Sequence, residues 1–213
     1  MKEETSDIHP WVVERILARR PRLHVFDRID PRRTALLVID MQNGFVDEKS
    51  NYWVPGAQDT VGRINEIAGA LRERGGLAVF TRHLVDQEAL SGWSNYYSHF
   101  FTPPRLSALQ KTFGPGERGH KLWSGLDVRN EDLVVAKRRF GAFAPGSSDL
   151  HQQLQSRGIE NVVIAGTVTN VCCETTAREA MMLNYRVFFV NDANSALTSD
   201  EHRATLDSLA VMF

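Results

Sequence analysis

Residues 161–180 read NVVIAGTVTNVCCETTAREA. The first six form a short apolar run rich in β-branched residues, the pattern of a strand buried on both faces. From about Val171 to Asn184 the residues recur at helical spacing, so the stretch reads as strand, tight loop and helix. Both cysteines of the chain, Cys172 and Cys173, stand side by side at the start of that helix. Their spacing argues against a disulfide between them: consecutive Cα atoms lie about 3.8 Å apart, and a relaxed disulfide needs roughly 4.4–6.8 Å. With a helix beginning near Asn170, Cys173 shares a stripe with Ala177, Ala180, Met181 and Asn184 and reads as core. Cys172 falls on another side, above Thr175, Thr176 and Glu179, in the first turn. There the helix end favours a thiolate, and its free N–H groups can hold an oxyanion. Cys172 is the nucleophile candidate.

Outward from this stretch the same alternation repeats. TALLVID (34–40), LAVFT (77–81), DLVVAK (132–137) and RVFFVND (186–192) read as further strands. TVGRINEIAGALRERG (60–75) sets Val61, Ile64, Ile67, Ala68 and Leu71 on one helical stripe and stops at Gly75–Gly76. SSDLHQQLQSRG (147–158) reads as a helix opened by a Ser/Asp cap and closed by Gly, and a last helix starts near Ser199. Continuous apolar strands separated by helices predict a three-layer, doubly wound α/β fold, with a mostly parallel sheet covered on both faces. At 213 residues the whole chain, 1–213, fits a single domain.

Two segments depart from this rhythm. Residues 1–30 form an N-terminal arm with an apolar stripe at Val12, Val13, Ile16 and Leu17, which either packs on its own domain or embraces a neighbouring subunit. Residues 82–131 are long and polar yet carry Trp93, Tyr96, Tyr97, Phe100, Phe101, Phe113 and Trp123. They read as a functional lid, with an ordinary packed insertion as the alternative.

A formal net charge of −1 and a pI near 6.7 leave no general attraction to nucleic acid or to an anionic membrane. The N-terminus, MKEETSDIHPWVVERILARR, has no apolar core of a secretory signal, and no run is long enough for a membrane helix. Together with unpaired cysteines, this predicts a cytoplasmic protein.

In an open parallel sheet, ligands bind beyond the carboxyl ends of the strands, at the switch in strand order. Three strands deliver Asp40, Lys137 and the 166–172 loop to that edge. Singly, each has a plain structural reading as a turn acid, a solvated lysine or a small core cysteine. Jointly, they are an acid, a base and a thiol at one place.

These blocks resemble the cysteine hydrolases of the isochorismatase-like superfamily. The resemblance rests on D-x-Q after the first strand (Asp40-Met41-Gln42), on KRRFGAF (137–143), and on G-x-x-T-[ND]-x-C-x-x-x-T-x-x-[DE]-A, here 166–180; it spans about 34–210. It implies a catalytic triad of Asp40, Lys137 and Cys172. It also implies a cis peptide at Thr167–Val168 and an oxyanion hole from the amides of Val168 and Cys172. Gln42, Phe45, Arg82, Trp93 and Arg139 become candidate contacts to a small-molecule substrate. The implied reaction is C–N bond hydrolysis through a covalent Cys172 intermediate, with no cofactor, in a homo-oligomer (dimer or tetramer).

Nicotinamidases of the superfamily bind a metal through an Asp and spaced histidines after the second strand. The corresponding TRHLVDQEALSGWS holds only His83, and His99 and His120 lie far along the lid, so no metal is expected. Isochorismatases proper usually lack the cysteine. The blocks look most like ureidoacrylate and carbamoyl amidohydrolases, although FAPGSSDL is longer than the usual segment. The alternatives are a nicotinamidase-type or isochorismatase-type hydrolase, a catalytically silent binding member of the fold, and a thiol sensor using both cysteines.

Overall fold

The apolar runs assemble into one five-stranded sheet of order β3-β2-β1-β4-β5, every neighbouring pair parallel. The computed structural model describes residues 8–213. In chain order come α1 (Pro10–Arg19), β1 (Thr34–Ile39), α2 (Asn43–Val46), α3 (Val61–Arg72), β2 (Leu77–His83), α4 (Gln87–Gly92), α5 (Ser94–His99) and α6 (Pro103–Phe113). They are followed by β3 (Leu133–Lys137), α7 (Leu150–Ser156), β4 (Asn161–Thr167), α8 (Glu174–Met182), β5 (Arg186–Ser195) and α9 (Ser199–Met212). A π-helical turn, Thr169–Cys173, joins β4 to α8. The expected helix from Val171 therefore opens on a wider turn, in which the Val168 carbonyl accepts from both Val171 and Cys173.

Strand alternation divides the core in two. Leu36 and Val38 of β1, with Phe80 and Ala165, face α3 and its Ile64, Ala68 and Leu71. Ala35, Leu37 and Ile39, with Val79, Val135 and Ile164, face α7, α8 and Leu209 of α9. Both cysteines lie in this second layer. The chain winds outward from β1 to β3 on one side and continues through β4 and β5 on the other. The switch point is thus the β1/β4 crevice. At its rim Gly166 has φ +120, and a Cβ there would collide with the backbone of Ile39. Only glycine lets β4 approach β1 this closely.

The N-terminal stripe is spent within the chain. Val12 and Ile16 are buried against Leu23, Ala210 and Val211, whereas Leu17 stays exposed. The apolar face that left open an embrace of a second subunit therefore rests on α9; residues 1–7 of the arm lie outside the described residues. The lid, expected from 82, starts after His83, because β2 continues through Arg82 and His83 in register with Ala136 and Lys137. Among the described residues no helix is long and apolar enough to cross a membrane.

Candidate active site

Asp40 is the first residue past β1, and its φ of +50 is left-handed, a region Asp tolerates better than most residues. Plain alternation would send its side chain to the α3 face with Leu36 and Val38. The positive φ returns it to the face of Ile39, where Thr81 and Lys137 wait. The Thr81 hydroxyl donates to Asp40 Oδ1 at 2.8 Å and accepts from the Asp40 amide at 3.1 Å, fixing both turn and carboxylate. Thr81 is wholly buried. It went unremarked in the sequence, where a polar residue at the end of an apolar strand was the available signal.

Lys137 closes β3, two strands from Asp40, and reaches across β2. Its Nζ lies 2.6 Å from Asp40 Oδ2, with both side chains wholly buried. The contact is a close ion pair rather than an aligned hydrogen bond, since Oδ2 has no angularly sound partner. Lys137 instead donates to the Arg139 carbonyl at 3.0 Å. Burial works against the ammonium, but Asp40 and Cys172 outweigh it and hold the lysine pKa above its ordinary value.

The Cys172 side chain lies within electrostatic reach of both Asp40 and Lys137. It is 5% exposed, and the expectation of a helix-end thiolate is corrected. Burial pushes the thiol up to about 12, against the pull of Lys137 and with Asp40 adding to the rise. A charge taken out of water costs more here than one neighbouring ammonium returns. Cys173 is fully buried, its thiol pushed well above the ordinary range by burial, and it packs with Ala177 and Ala180. The Thr167–Val168 peptide is cis.

Several candidate contacts turn out to be committed elsewhere. Gln42 is wholly buried; its amide donates to the carbonyls of His83 (3.2 Å) and His120 (2.9 Å) and accepts from the His83 N–H (2.7 Å). It fastens the segment around His120 to the sheet edge and has no donor left for a substrate. Arg139 donates to the carbonyls of Arg138 and Gly92 and covers the Trp93 ring at 5.5 Å. Arg138 grips Asp86, the N-cap of α4. These arginines hold the start of the 82–131 insertion in place. Trp93 is half-buried, stacked on Tyr96 at 4.1 Å and edge-on to Phe140 at 4.9 Å, and Phe140 packs against the layer holding Cys172. Phe45 stacks on Phe113 at 4.5 Å. Arg82 alone among the candidate arginines keeps no partner: its buried Nε bonds nothing among the described residues.

Two further features escaped the sequence reading. Glu179 accepts the Phe143 amide at 2.9 Å, and Thr176 that of Ala142 at 3.2 Å, so α8 clamps the loop that follows Lys137. His120, expected far along the lid, is returned by antiparallel pairing of Gln42 with Leu122 and by bonds from Asn43 and Gly44 to Lys121 and Gly119. It comes within electrostatic reach of His83 and Asp40. Even so, no three His, Cys, Asp or Glu side chains converge as a metal site among the described residues. Two imidazoles beside a guanidinium do not fit the metal of the nicotinamidase pattern.

A family model described as an isochorismatase domain matches residues 34–213. The ureidoacrylate amidohydrolase RutB of Variovorax paradoxus is 32% identical over 200 residues, covering 85% of this chain and 75% of that protein. An Arabidopsis thaliana protein called a "probable inactive nicotinamidase" is 33% identical over 177 residues, covering 82% and 87%. The crystal structure of a cysteine hydrolase from Pseudomonas syringae pv. phaseolicola aligns with TM-score 0.73 at 25% identity, covering 87% and 88%. With this match over the whole sheet and both its covering layers, the chain belongs to the isochorismatase domain family of hydrolases.

Proposed function

We propose that the protein is a metal-independent cysteine amidohydrolase cleaving a C–N bond of a small ureido, carbamoyl or amide substrate. The observation that carries this reading is the water-excluded contact of Asp40, Lys137 and Cys172. Asp40 takes the thiol proton while Lys137 compensates the forming thiolate, and sulfur attacks the carbonyl carbon. The amides of Val168 and Cys172 hold the resulting oxyanion. Asp40 returns the proton to nitrogen as the C–N bond breaks, leaving a thioester or thiocarbamate on Cys172. Water then attacks that carbon and gives its proton to Asp40; the C–S bond breaks, and sulfur regains the proton. A neutral resting thiol suits this sequence, because the thiolate nucleophile and the Asp40 proton donor form together only once a carbonyl is in place.

Of the named relatives, one is an amidohydrolase, one a cysteine hydrolase and one is called a probable inactive nicotinamidase. All three reacting side chains in mutual contact favour the active reading over a silent one. Ammonia release across ureido acids, carbamoyl amino acids, biuret and nicotinamide tests it, with exhaustive chelation leaving the rate unchanged. Cys172→Ala should abolish turnover, Cys173→Ala should retain it, and quenched reactions should carry acyl mass on the Cys172 peptide. An active Cys172→Ala enzyme, or a chelation loss restored by zinc or iron, refutes the proposal. A homo-oligomer belongs to the same reading, with Trp11 and Leu17 of α1 still exposed; light scattering giving a 24.0 kDa monomer removes that part.

A further inference from the structure

Next to the triad lies a second group of polar atoms that the chemistry above does not use. His83 and His120 are each 7% exposed, and His83 Nδ1, His120 Nε2 and Arg82 Nε are buried without a hydrogen-bond partner. Native interiors rarely leave such groups unmet. His83 and His120 act on one another, and Arg82, on the opposite side of β2 from His83, acts on His120. Arg82 directly follows Thr81, which holds Asp40; His83 pairs in register with Lys137; and Gln42 ties the His83 and His120 carbonyls together. His120 lies in the fields of both Arg82 and Asp40, linking the α3 side of the sheet edge to the triad.

The charges of this neighbourhood do not cancel. Burial lowers both imidazoles, His83 to about 4, so both are neutral at pH 7. Lys137 and Asp40 compensate each other and Cys172 holds its proton. Asp86, the next carboxylate, is taken by Arg138. One positive charge remains, on Arg82. A metal ion would add to that excess, whereas one anion would neutralise it while accepting bonds from guanidinium and imidazole N–H groups.

We propose that Arg82, with His83 and His120, forms an anion-recognition subsite, and that the substrate carries a carboxylate seated there while its C–N carbonyl meets Cys172. This deepens the amidohydrolase reading and rests on it for the identity of the reacting group. Arg139, the other candidate arginine of the sequence, is excluded by its bonds to backbone carbonyls, and its neighbour Arg138 by its bonds to Asp86.

The test uses calorimetric binding to Cys172→Ala protein, which needs no turnover, with 3-ureidopropionate and its methyl ester as probes. The acid should bind at least about tenfold more tightly than the ester, as expected for bonds to a charged donor. Adding Arg82→Gln should erase the difference. Arg82→Lys, which keeps the charge at the end of β2, should preserve most of it and controls for misfolding. Equal binding of acid and ester, no binding of the acid, or full discrimination in the folded Arg82→Gln variant overturns the subsite. Failure of the hydrolase reading shows separately, as absent ammonia release and no acyl mass on Cys172 with the acid still bound.

Discussion

Replacing Lys137 by Met leaves Asp40 as an uncompensated charge in a fully buried site. Both partners are wholly buried and 2.6 Å apart, and methionine nearly fills the lysine volume, so electrostatics rather than a cavity sets the cost. Removing one member of a buried pair typically costs about 3–5 kcal/mol. In a chain of 213 residues each kcal/mol moves Tm by roughly 2–4 °C, so a fall of about 6–20 °C is expected. The Thr81 hydroxyl, which donates to Oδ1, keeps the carboxylate from relaxing outward. Urea unfolding followed by tryptophan fluorescence, read as a double-mutant cycle with Asp40→Asn, isolates the pair. The double variant carries neither charge and should be more stable than Lys137→Met alone, with a coupling of about 2 kcal/mol or more. A Lys137→Met protein melting within about 2 °C of the parent, with no coupling, refutes the ion-pair account of the site.

His83 supplies an acid-side signature. Its folded pKa is lowered to about 4 by burial and by Lys137, so between 6.5 and 4 the unfolded chain binds more protons than the folded one. Stability should therefore fall as pH drops through that window, by roughly 3 kcal/mol, at about 1.4 kcal/mol per unit. Chemical denaturation at several pH values reads the slope, and an unchanged slope in His83→Gln sinks the assignment. For Cys172, a thiol held near 12 predicts that iodoacetamide labelling rises about tenfold per pH unit from 7 to 10. A plateau near neutrality would show instead a resting thiolate.

The strand–helix alternation, the parallel sheet and the three chemical blocks were legible in the sequence because each depends on local order. Apolar runs mark buried strands, and the end of a parallel strand is where a ligand-facing residue must stand. The split between Cys172 and Cys173 was legible in part: Ala177 and Ala180 pack with Cys173 as read, while Asn184 at the end of that stripe is exposed, and the burial of Cys172 was not a local property. It depends on Phe140 and on the lid aromatics stacked against it, which come from distant segments. Likewise, no pattern along the chain could show that Gln42, Arg138 and Arg139 are consumed in holding the 82–131 insertion while Arg82 Nε is left without a partner. Nor could it show that the bonds of residues 42–44 bring His120 back to the sheet edge. Helical and strand periodicity report which side of an element is buried; they carry no information on which partner arrives from elsewhere in the chain. The protonation of Cys172, the neutrality of His83 and the unspent charge of Arg82 are sums over such partners, and only the tertiary structure supplies the terms.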